Sequence, residues 1–315
     1  MSDLPAAVHV NEEGPREGFQ IEKGFIPTAR KIALIEALAR TGLNHIQIVS
    51  FVNPKNVPGM ADADAVVDGI TAQPGVAYTA LWLNEKGFSR ALTHDRLTNT
   101  GTIQLSASEL FSRRNQNRTA AEQLAGQHRI VDMYKAAGVP VERGSVMAAF
   151  GCNFEGDVPA ARVVALVQQI LDVAEEHNVT LSYVTLADTM AWATPASIKR
   201  VLGALREHWP DLPFALHLHD TRGMAVANAF AGLEMGVARF DAAVAGLGGC
   251  PFAGHSGAAG NICTEDLVFL CNEMGIKTGI ELDALIECAK LAEDIVGHPL
   301  PGSVMKGGTL AKFRA

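Results

Sequence analysis

Two histidines alternate with leucines in the segment FALHLHD, residues 214–220. Successive side chains of a strand point to opposite faces, so His217 and His219 would share one face, about 7 Å apart. The intervening leucines would then face the covering helices. Two imidazoles on one face can bind a divalent metal ion, and Asp220 is placed to orient one of them. The alternative is a pair of structural histidines that hydrogen-bond to their neighbours.

Short apolar or β-branched runs alternate with longer amphipathic segments, which predicts alternating strands and helices. These elements must position the histidines. The predicted strands are residues 8–10, 45–51, 77–81, 102–106, 141–149, 181–186, 214–219 and 237–244. The predicted helices are residues 27–39, 61–71, 85–92, 120–137, 159–177, 195–207, 225–235, 264–273 and 282–295.

About eight strand–helix units in 315 residues predict a (β/α)8 TIM barrel, an α/β fold, with a C-terminal helical extension. Without a long linker, residues 1–315 are expected to form a single domain. An open doubly wound sheet is the competing arrangement. Active sites of such barrels lie at the carboxyl ends of the strands, which is where His217 and His219 fall.

Composition narrows the class of partner. The chain is 48% hydrophobic and carries a net charge of −8, which argues against nucleic acid and anionic membranes as partners. The five cysteines form no C-x-x-C pair, so neither a disulfide framework nor a structural zinc site is expected. With no apolar run of about 20 residues and no basic–apolar leader, a cytoplasmic location is expected.

Three further segments contain chemically informative residues. They are GPREGFQIEKGFIPT (14–28), LADTMAWATP (186–195) and VAGLGGCPFAGHSGAAGN (244–261), and each follows a predicted strand. Together with HLHDTRG (217–223), they resemble the 3-hydroxy-3-methylglutaryl-CoA lyase family, a group of metal-dependent barrel lyases. The resemblance extends along nearly the whole chain, with the segments in family order. It implies a divalent-metal-dependent carbon–carbon lyase.

The resemblance also implies a set of metal ligands. His217 and His219 would supply imidazole nitrogens, Asn261 its amide oxygen and Glu17 a carboxylate. The family metal is Mg²⁺ or Mn²⁺, and a mixed oxygen and nitrogen set suits these ions. Fe²⁺ is the alternative, because two histidines and a carboxylate also describe the non-haem iron triad.

Three catalytic roles come from the same resemblance. Arg16 would neutralise the enolate charge that develops when a bond beside a carbonyl breaks. Cys250 would move protons from its glycine-rich loop, and Asp188 would lie near the reacting hydroxyl. Asp188 has a second interpretation, as a cap of the following helix.

Several positions depart from the family pattern. Glu17 replaces an aspartate, Gln47 replaces the glutamate that pairs with the arginine, and Ser145 replaces a tyrosine. The loop after the last strand is two residues longer than usual and includes His255. With a neutral Gln47, we expect Arg16 to keep at most neutral hydrogen bonds. These departures favour a related hydroxy acid or its thioester over 3-hydroxy-3-methylglutaryl-CoA itself.

The predicted activity is therefore retro-Claisen or retro-aldol cleavage of a 3-hydroxy-acyl-CoA or related hydroxy acid. One alternative is a CoA-independent aldolase of a 4-hydroxy-2-oxo acid, and another is a degenerate, non-catalytic metal-binding barrel. Lys23, Arg113, Arg114 and Arg118 would hold CoA phosphates or form a solvated rim. A homodimer or higher homo-oligomer is expected, because relatives are often dimers.

Overall fold

Parallel strands alternate with helices through the part of the chain that the structure, a computed structural model, describes: residues 4–249 and 260–314. The strands are β1 (His9–Glu12), β2 (His45–Ser50), β3 (Ala77–Leu81), β4 (Gly101–Ser106), β5 (Val141–Met147), β6 (Gly151–Cys152), β7 (Gly156–Asp157), β8 (Tyr183–Asp188), β9 (Phe214–Leu218) and β10 (Arg239–Ala242). The helices are α1 (Gly14–Ile21), α2 (Thr28–Ala39), α3 (Ala63–Gly69), α4 (Glu85–Ala91), α5 (Glu109–Gln116), α6 (Ala120–Ala136), α7 (Ala160–Glu176), α8 (Pro195–His208), α9 (Ala225–Glu234), α10 (Thr264–Glu273), α11 (Leu282–Val296) and α12 (Val304–Gly307).

The chain divides into two compact units. The first unit consists mainly of residues 99–240, and its parallel strands follow the order β4-β5-β8-β9. Residues of α7 at helical spacing, Val163, Val167 and Ile170, are fully buried. The register of β8 and β9 aligns Asp188 with Leu218, so both strands end at the same level. Their carboxyl ends therefore present side chains to a common edge.

The second unit consists mainly of residues 6–98, 241–249 and 260–314, and its strands follow the order β3-β2-β1-β10. Glu12 of β1 pairs with Ile46 of β2 in parallel register. On α2, the spacing of Leu34, Ile35 and Leu38 places three fully buried side chains on one face. Burial of this apolar face holds α2 in the core of the unit whose other elements carry the polar residues described below.

The predicted elements are present, with boundaries that differ by at most two residues. The C-terminal helical extension is also present, as α11 and α12. The prediction omitted α1, α5, α12 and the β6–β7 hairpin. The eight residues of α1 include two glycines and a proline, and this composition is typical of a loop. Pro15 nevertheless fits the first turn of a helix. No helix within the described ranges is long and apolar enough to cross a membrane.

Candidate active site

The two histidines of the first unit lie on one side of β9. Their ring centroids are 5.0 Å apart in an edge-on arrangement, which confirms that they share a face. Leu216 points the other way, toward α9, where a Cβ on Gly232 would come within 2.5 Å of its side chain. His219 is buried, and its Nδ1 lies 2.8 Å from the Thr189 carbonyl oxygen. Donation from Nδ1–H to that carbonyl leaves Nε2 with a lone pair, as a metal ligand requires.

Asp188 organises the turn that follows β8. Its Oδ1 accepts hydrogen bonds from the backbone N–H groups of Trp192 (2.7 Å) and Ala193 (3.1 Å). Thr194, not Asp188, caps α8. The second carboxylate oxygen, Oδ2, is buried and has no hydrogen-bond partner among residues 4–249 and 260–314. Asp188 therefore shapes the turn with one oxygen and has the other available for a ligand.

The pKa of Asp188 is raised to about 6, and burial is the main cause. The two backbone hydrogen bonds and the nearby imidazoles of His219 and His217 oppose this rise, because they stabilise the carboxylate. A carboxyl group with a pKa near neutral can exchange protons at physiological pH.

In the second unit, α1 carries the predicted arginine and carboxylate. Arg16 donates from Nε to Gln47 Oε1 and from Nη2 to the Glu13 carboxylate, and its Nη2 lies 3.4 Å from Glu17 Oε2. The expectation that Arg16 keeps only neutral hydrogen bonds is therefore wrong. Glu13 lies one helical turn before Arg16 and supplies the carboxylate that Gln47 lacks. The guanidinium is thus held by a charged and a neutral partner.

Glu17 and Asn261 are direct neighbours although 244 positions separate them. Asn261 Nδ2 donates to Glu17 Oε2 at 2.7 Å, and both side chains are buried. Asn261 Oδ1 accepts no hydrogen bond from any residue in the described ranges. Because a buried amide oxygen without a partner costs about 1–3 kcal/mol, this atom is suited to a ligand that the chain itself does not supply. The interpretation of Asn261 as a simple turn residue does not explain this arrangement.

Glu12 connects α1 to the end of β10, a role that the sequence did not indicate. Its Oε1 accepts from the backbone N–H groups of Gly14 (2.7 Å) and Val244 (2.9 Å), and its Oε2 accepts from Thr264 Oγ1 (2.5 Å). Burial raises the pKa of Glu12 to about 7 against these hydrogen bonds, which lower it. The available signal in the sequence was a glutamate at the end of a strand, two positions before the glycine that begins α1.

Glu265 is another buried carboxyl group of the same unit with a raised pKa. Its Oε2 accepts from the backbone N–H of Ala245 at 3.0 Å, in a turn where Ala245 has a φ of 56°. Burial raises its pKa to about 8, and the neighbouring Asp266 and Glu12 carboxylates add to this rise. Glu12 and Glu265 together support residues 244–246, from which the predicted cysteine loop starts.

The remaining predicted residues are less informative. Cys250 and His255 lie outside the described residues. Arg113 pairs with Glu109 at 2.7 Å, and Arg114 lies over the Phe154 ring. The other cysteines are all buried, as expected of packing residues: Cys152, Cys263, Cys271 and Cys288.

Comparisons with known proteins identify the family of the chain. The chain matches the HMGL-like family model over residues 7–292. It is 39% identical over 297 residues to the hydroxymethylglutaryl-CoA lyase YngG of Bacillus subtilis (strain 168), with 94% of this chain and 96% of that protein covered.

Two solved structures are similar along almost the full length. The Bacillus subtilis HMG-CoA lyase has a TM-score of 0.88 and 37% identity, covering 99% of both chains. An HMG-CoA lyase from Acinetobacter baumannii, in complex with coenzyme A and 3-methylmalate, has a TM-score of 0.86 and 39% identity, covering 97% of this chain and 96% of that one. These similarities confirm the predicted (β/α)8 fold class. The chain belongs to the HMGL-like family and is a carbon–carbon lyase of the hydroxymethylglutaryl-CoA lyase type.

Proposed function

We propose that the chain cleaves a carbon–carbon bond of a 3-hydroxy-acyl thioester, with Glu17, His217, His219 and Asn261 as ligands of Mg²⁺ or Mn²⁺. The observation that carries the proposal is the buried Asn261 Oδ1, which has no hydrogen-bond partner in the described part of the chain. Its amide nitrogen is committed to Glu17, so the oxygen is the atom left for a metal. The His219 tautomer, fixed by Thr189, fits the same role.

The chemistry of these donors suits the metal. Carboxylate and amide oxygens with imidazole nitrogens form the mixed set expected for Mg²⁺ or Mn²⁺, and no thiolate is required. When bound, the ion supplies Lewis-acid polarisation of the substrate oxygens. Side chains of this chain carry out all the other steps of the reaction.

Three side chains act on the substrate. Asp188 orients the reacting hydroxyl through Oδ2 and receives its proton as the bond breaks. Arg16, held by Glu13 and Gln47, presents its guanidinium to the enolate oxygen, where a fixed positive charge stabilises the developing negative one. Cys250 then gives a proton to the enolate carbon. The products are a ketone or keto acid and a shortened acyl thioester.

A solved structure of a relative supports a thioester substrate, and the contacts of Arg16 support an active enzyme. An HMG-CoA lyase of the same fold binds coenzyme A, and this chain covers nearly all of its length. In addition, the carboxylate of Glu13 restores the charged partner of Arg16, which argues against a degenerate barrel. Gln47 and Ser145 still distinguish this site from the family pattern, so we propose a substrate related to 3-hydroxy-3-methylglutaryl-CoA.

A product-release assay tests the proposal. The purified chain is incubated with 3-hydroxy-acyl-CoA compounds and with the corresponding free acids, before and after EDTA treatment. We expect release of a carbonyl product from thioesters, loss of that activity with EDTA and recovery with Mg²⁺ or Mn²⁺. Full activity after complete metal removal would contradict the metal role. Cleavage of free 4-hydroxy-2-oxo acids alone would identify the CoA-independent aldolase instead.

Location and assembly are part of the same proposal. We propose a cytoplasmic enzyme that forms a homodimer or a higher homo-oligomer. Light scattering of the purified chain measures its assembly, and a mass of one chain at micromolar concentration would contradict this part.

A further inference from the structure

Four titratable side chains meet between α6 and the end of α7 in the first unit. His128 and Asp132 lie one turn apart on α6, whereas Glu176 and His177 end α7. His128 Nδ1 is 3.0 Å from His177 Nε2, and the two ring centroids are 5.2 Å apart. None of these residues belongs to the active site proposed above. The cluster therefore needs an explanation of its own.

Two residues of α6 contact His177, one at its ring and one at its backbone. Asp132 Oδ1 lies 3.1 Å from its Nδ1, and Lys135 Nζ donates to its carbonyl oxygen at 2.7 Å. The His177 side chain is only 13% exposed. With Asp132 accepting from Nδ1–H, the proton stays on Nδ1 and the Nε2 lone pair points toward His128. This carboxylate–histidine arrangement is the one that commonly orients imidazole ligands of metals.

The distance between the two nitrogens fits one ion. Two imidazole nitrogens that bind one zinc ion at about 2.0–2.1 Å lie roughly 3.0–3.4 Å apart. The observed 3.0 Å is at the short end of this range, so the nitrogens are close enough for one ion once both rings turn their lone pairs toward a common point. Glu176 Oε2 is 3.7 Å from His128 Nδ1, but the three donor atoms do not all lie within 4.8 Å of one another. The Glu176 side chain is 67% exposed, so binding requires it to rotate toward the two imidazoles. Two imidazoles and a carboxylate are the donors of many zinc sites.

We propose that His128 Nδ1, His177 Nε2 and the Glu176 carboxylate bind a transition metal ion of the Zn²⁺ class, with Asp132 as the residue that orients His177. Imidazole donors favour Zn²⁺, Ni²⁺ or Cu²⁺ over Mg²⁺, and this site lacks the amide oxygen that Asn261 adds to the donor set of the proposed active site. The bound ion would join α6 to the end of α7. The competing explanation is a hydrogen bond between two neutral imidazoles, which requires no metal.

Zinc stoichiometry separates the two explanations. The full chain is dialysed against ZnCl2, and bound zinc is measured by atomic absorption. We expect His128→Ala and His177→Ala to bind one zinc fewer per chain than the unsubstituted protein, whatever the active site holds. Asp132→Asn keeps the three ligands and weakens zinc binding by about tenfold. The matched control is His208→Gln, at the exposed end of α8, which should bind as much zinc as the unsubstituted chain.

Two readouts keep the test independent of folding and of the active site. Carbon–carbon cleavage with Mg²⁺ should be unchanged in His128→Ala, which also shows that the variant folds. Anomalous diffraction at the zinc edge, from zinc-soaked crystals of the unsubstituted chain, should show a peak between His128 and His177. Equal zinc content in all variants, or no peak at this position, would overturn the proposal, and neither result bears on the proposed lyase activity.

Discussion

Asn261 shows most directly how single atoms determine this site. The two polar atoms of its side chain differ in their contacts. The amide nitrogen donates a hydrogen bond to Glu17, whereas the oxygen has no hydrogen-bond partner in the described ranges. Rotation of the amide would place its oxygen against the Glu17 carboxylate, which has no hydrogen to donate, so only the observed orientation forms this hydrogen bond. The pair therefore has a fixed orientation before any metal arrives.

We expect Asn261→Ala to lower Mn²⁺ affinity at least tenfold, about 1.4 kcal/mol, because one oxygen donor and the hydrogen bond to Glu17 are lost together. Electron paramagnetic resonance of free Mn²⁺ measures the affinity. Circular dichroism controls for folding, and Asn228→Ala, a buried asparagine whose Nδ2 donates to the Ala193 carbonyl in the first unit, is the matched substitution. Equal Mn²⁺ affinity in Asn261→Ala and the unsubstituted chain would remove Asn261 from the ligand set.

Arg16 offers a second test at the same scale. The charged guanidinium assists both hydrogen bonds, but only Glu13 adds an opposite charge, so Glu13 should hold Arg16 more firmly than Gln47 does. We expect Glu13→Gln to lower kcat/KM about tenfold, and Gln47→Met to lower it less. Steady-state assays on the best thioester measure both. If Gln47→Met is the more damaging change, the neutral partner is the one that positions Arg16.

At the scale of elements, α1 is placed by close backbone contacts. A Cβ on Gly18 would come within 2.7 Å of the Leu247 Cβ, so α1 can approach the turn after β10 only with glycine at this position. We expect Gly18→Ala to destabilise the protein by about 1–3 kcal/mol and to weaken metal binding, since α1 carries Arg16 and Glu17. Urea unfolding measures the first effect.

The control for that substitution is Gly203→Ala. Gly203 lies inside α8, and no atom comes within 4 Å of a Cβ built there. Alanine has the higher helix propensity, so this change should stabilise the chain by about 0.5–1 kcal/mol. Equal stability of the two alanine variants would show that the contact with Leu247 does not constrain α1.

The turn at residues 244–246 depends on a carboxyl group whose charge is disfavoured. The pKa of Glu265 is about 8 in the folded chain against a usual value of 4.5, mainly because of burial. The folded state therefore binds this proton more tightly than the unfolded state. Its contribution to stability is complete below about pH 4.5 and is lost as the pH rises to about 8.

Glu265→Gln stays neutral at every pH and should lose less stability between about pH 5 and pH 8. We expect a flatter profile of the thermal midpoint against pH, with the variant above the unsubstituted chain at about pH 8. Circular dichroism melts measure this. Glu273→Gln, at the exposed end of α10, should follow the unsubstituted profile, because surface ion pairs contribute little. Parallel profiles for Glu265→Gln and the unsubstituted chain would contradict the prediction.

At the scale of the whole molecule, folding and metal binding are separable. The cores of both units are apolar, so the chain should stay folded without metal. An ion that binds only the folded state stabilises it by about 2.7 kcal/mol at 100 times its Kd. We expect EDTA to abolish activity and lower the thermal midpoint by several degrees while the helical signal at room temperature is unchanged. In His219→Ala, Mg²⁺ should no longer shift the midpoint.

The sequence by itself determined the order and type of nearly all elements, because hydrophobic periodicity reports which face of each element is buried. It also determined that His217 and His219 share a face, since alternation along a strand is a local property. The lyase family followed from motifs that lie at successive strand ends.

Only the tertiary structure decided the partners of these motifs. The structure shows that Glu13, not Gln47, is the charged partner of Arg16, and that Glu12 connects α1 to β10. Both findings depend on helix α1, which the sequence did not predict because of its glycines. The contact between Glu17 and Asn261 joins residues 244 positions apart. The cluster of His128, Asp132 and His177 requires two packed helices. Such contacts depend on packing between distant segments, and local patterns contain no information about it.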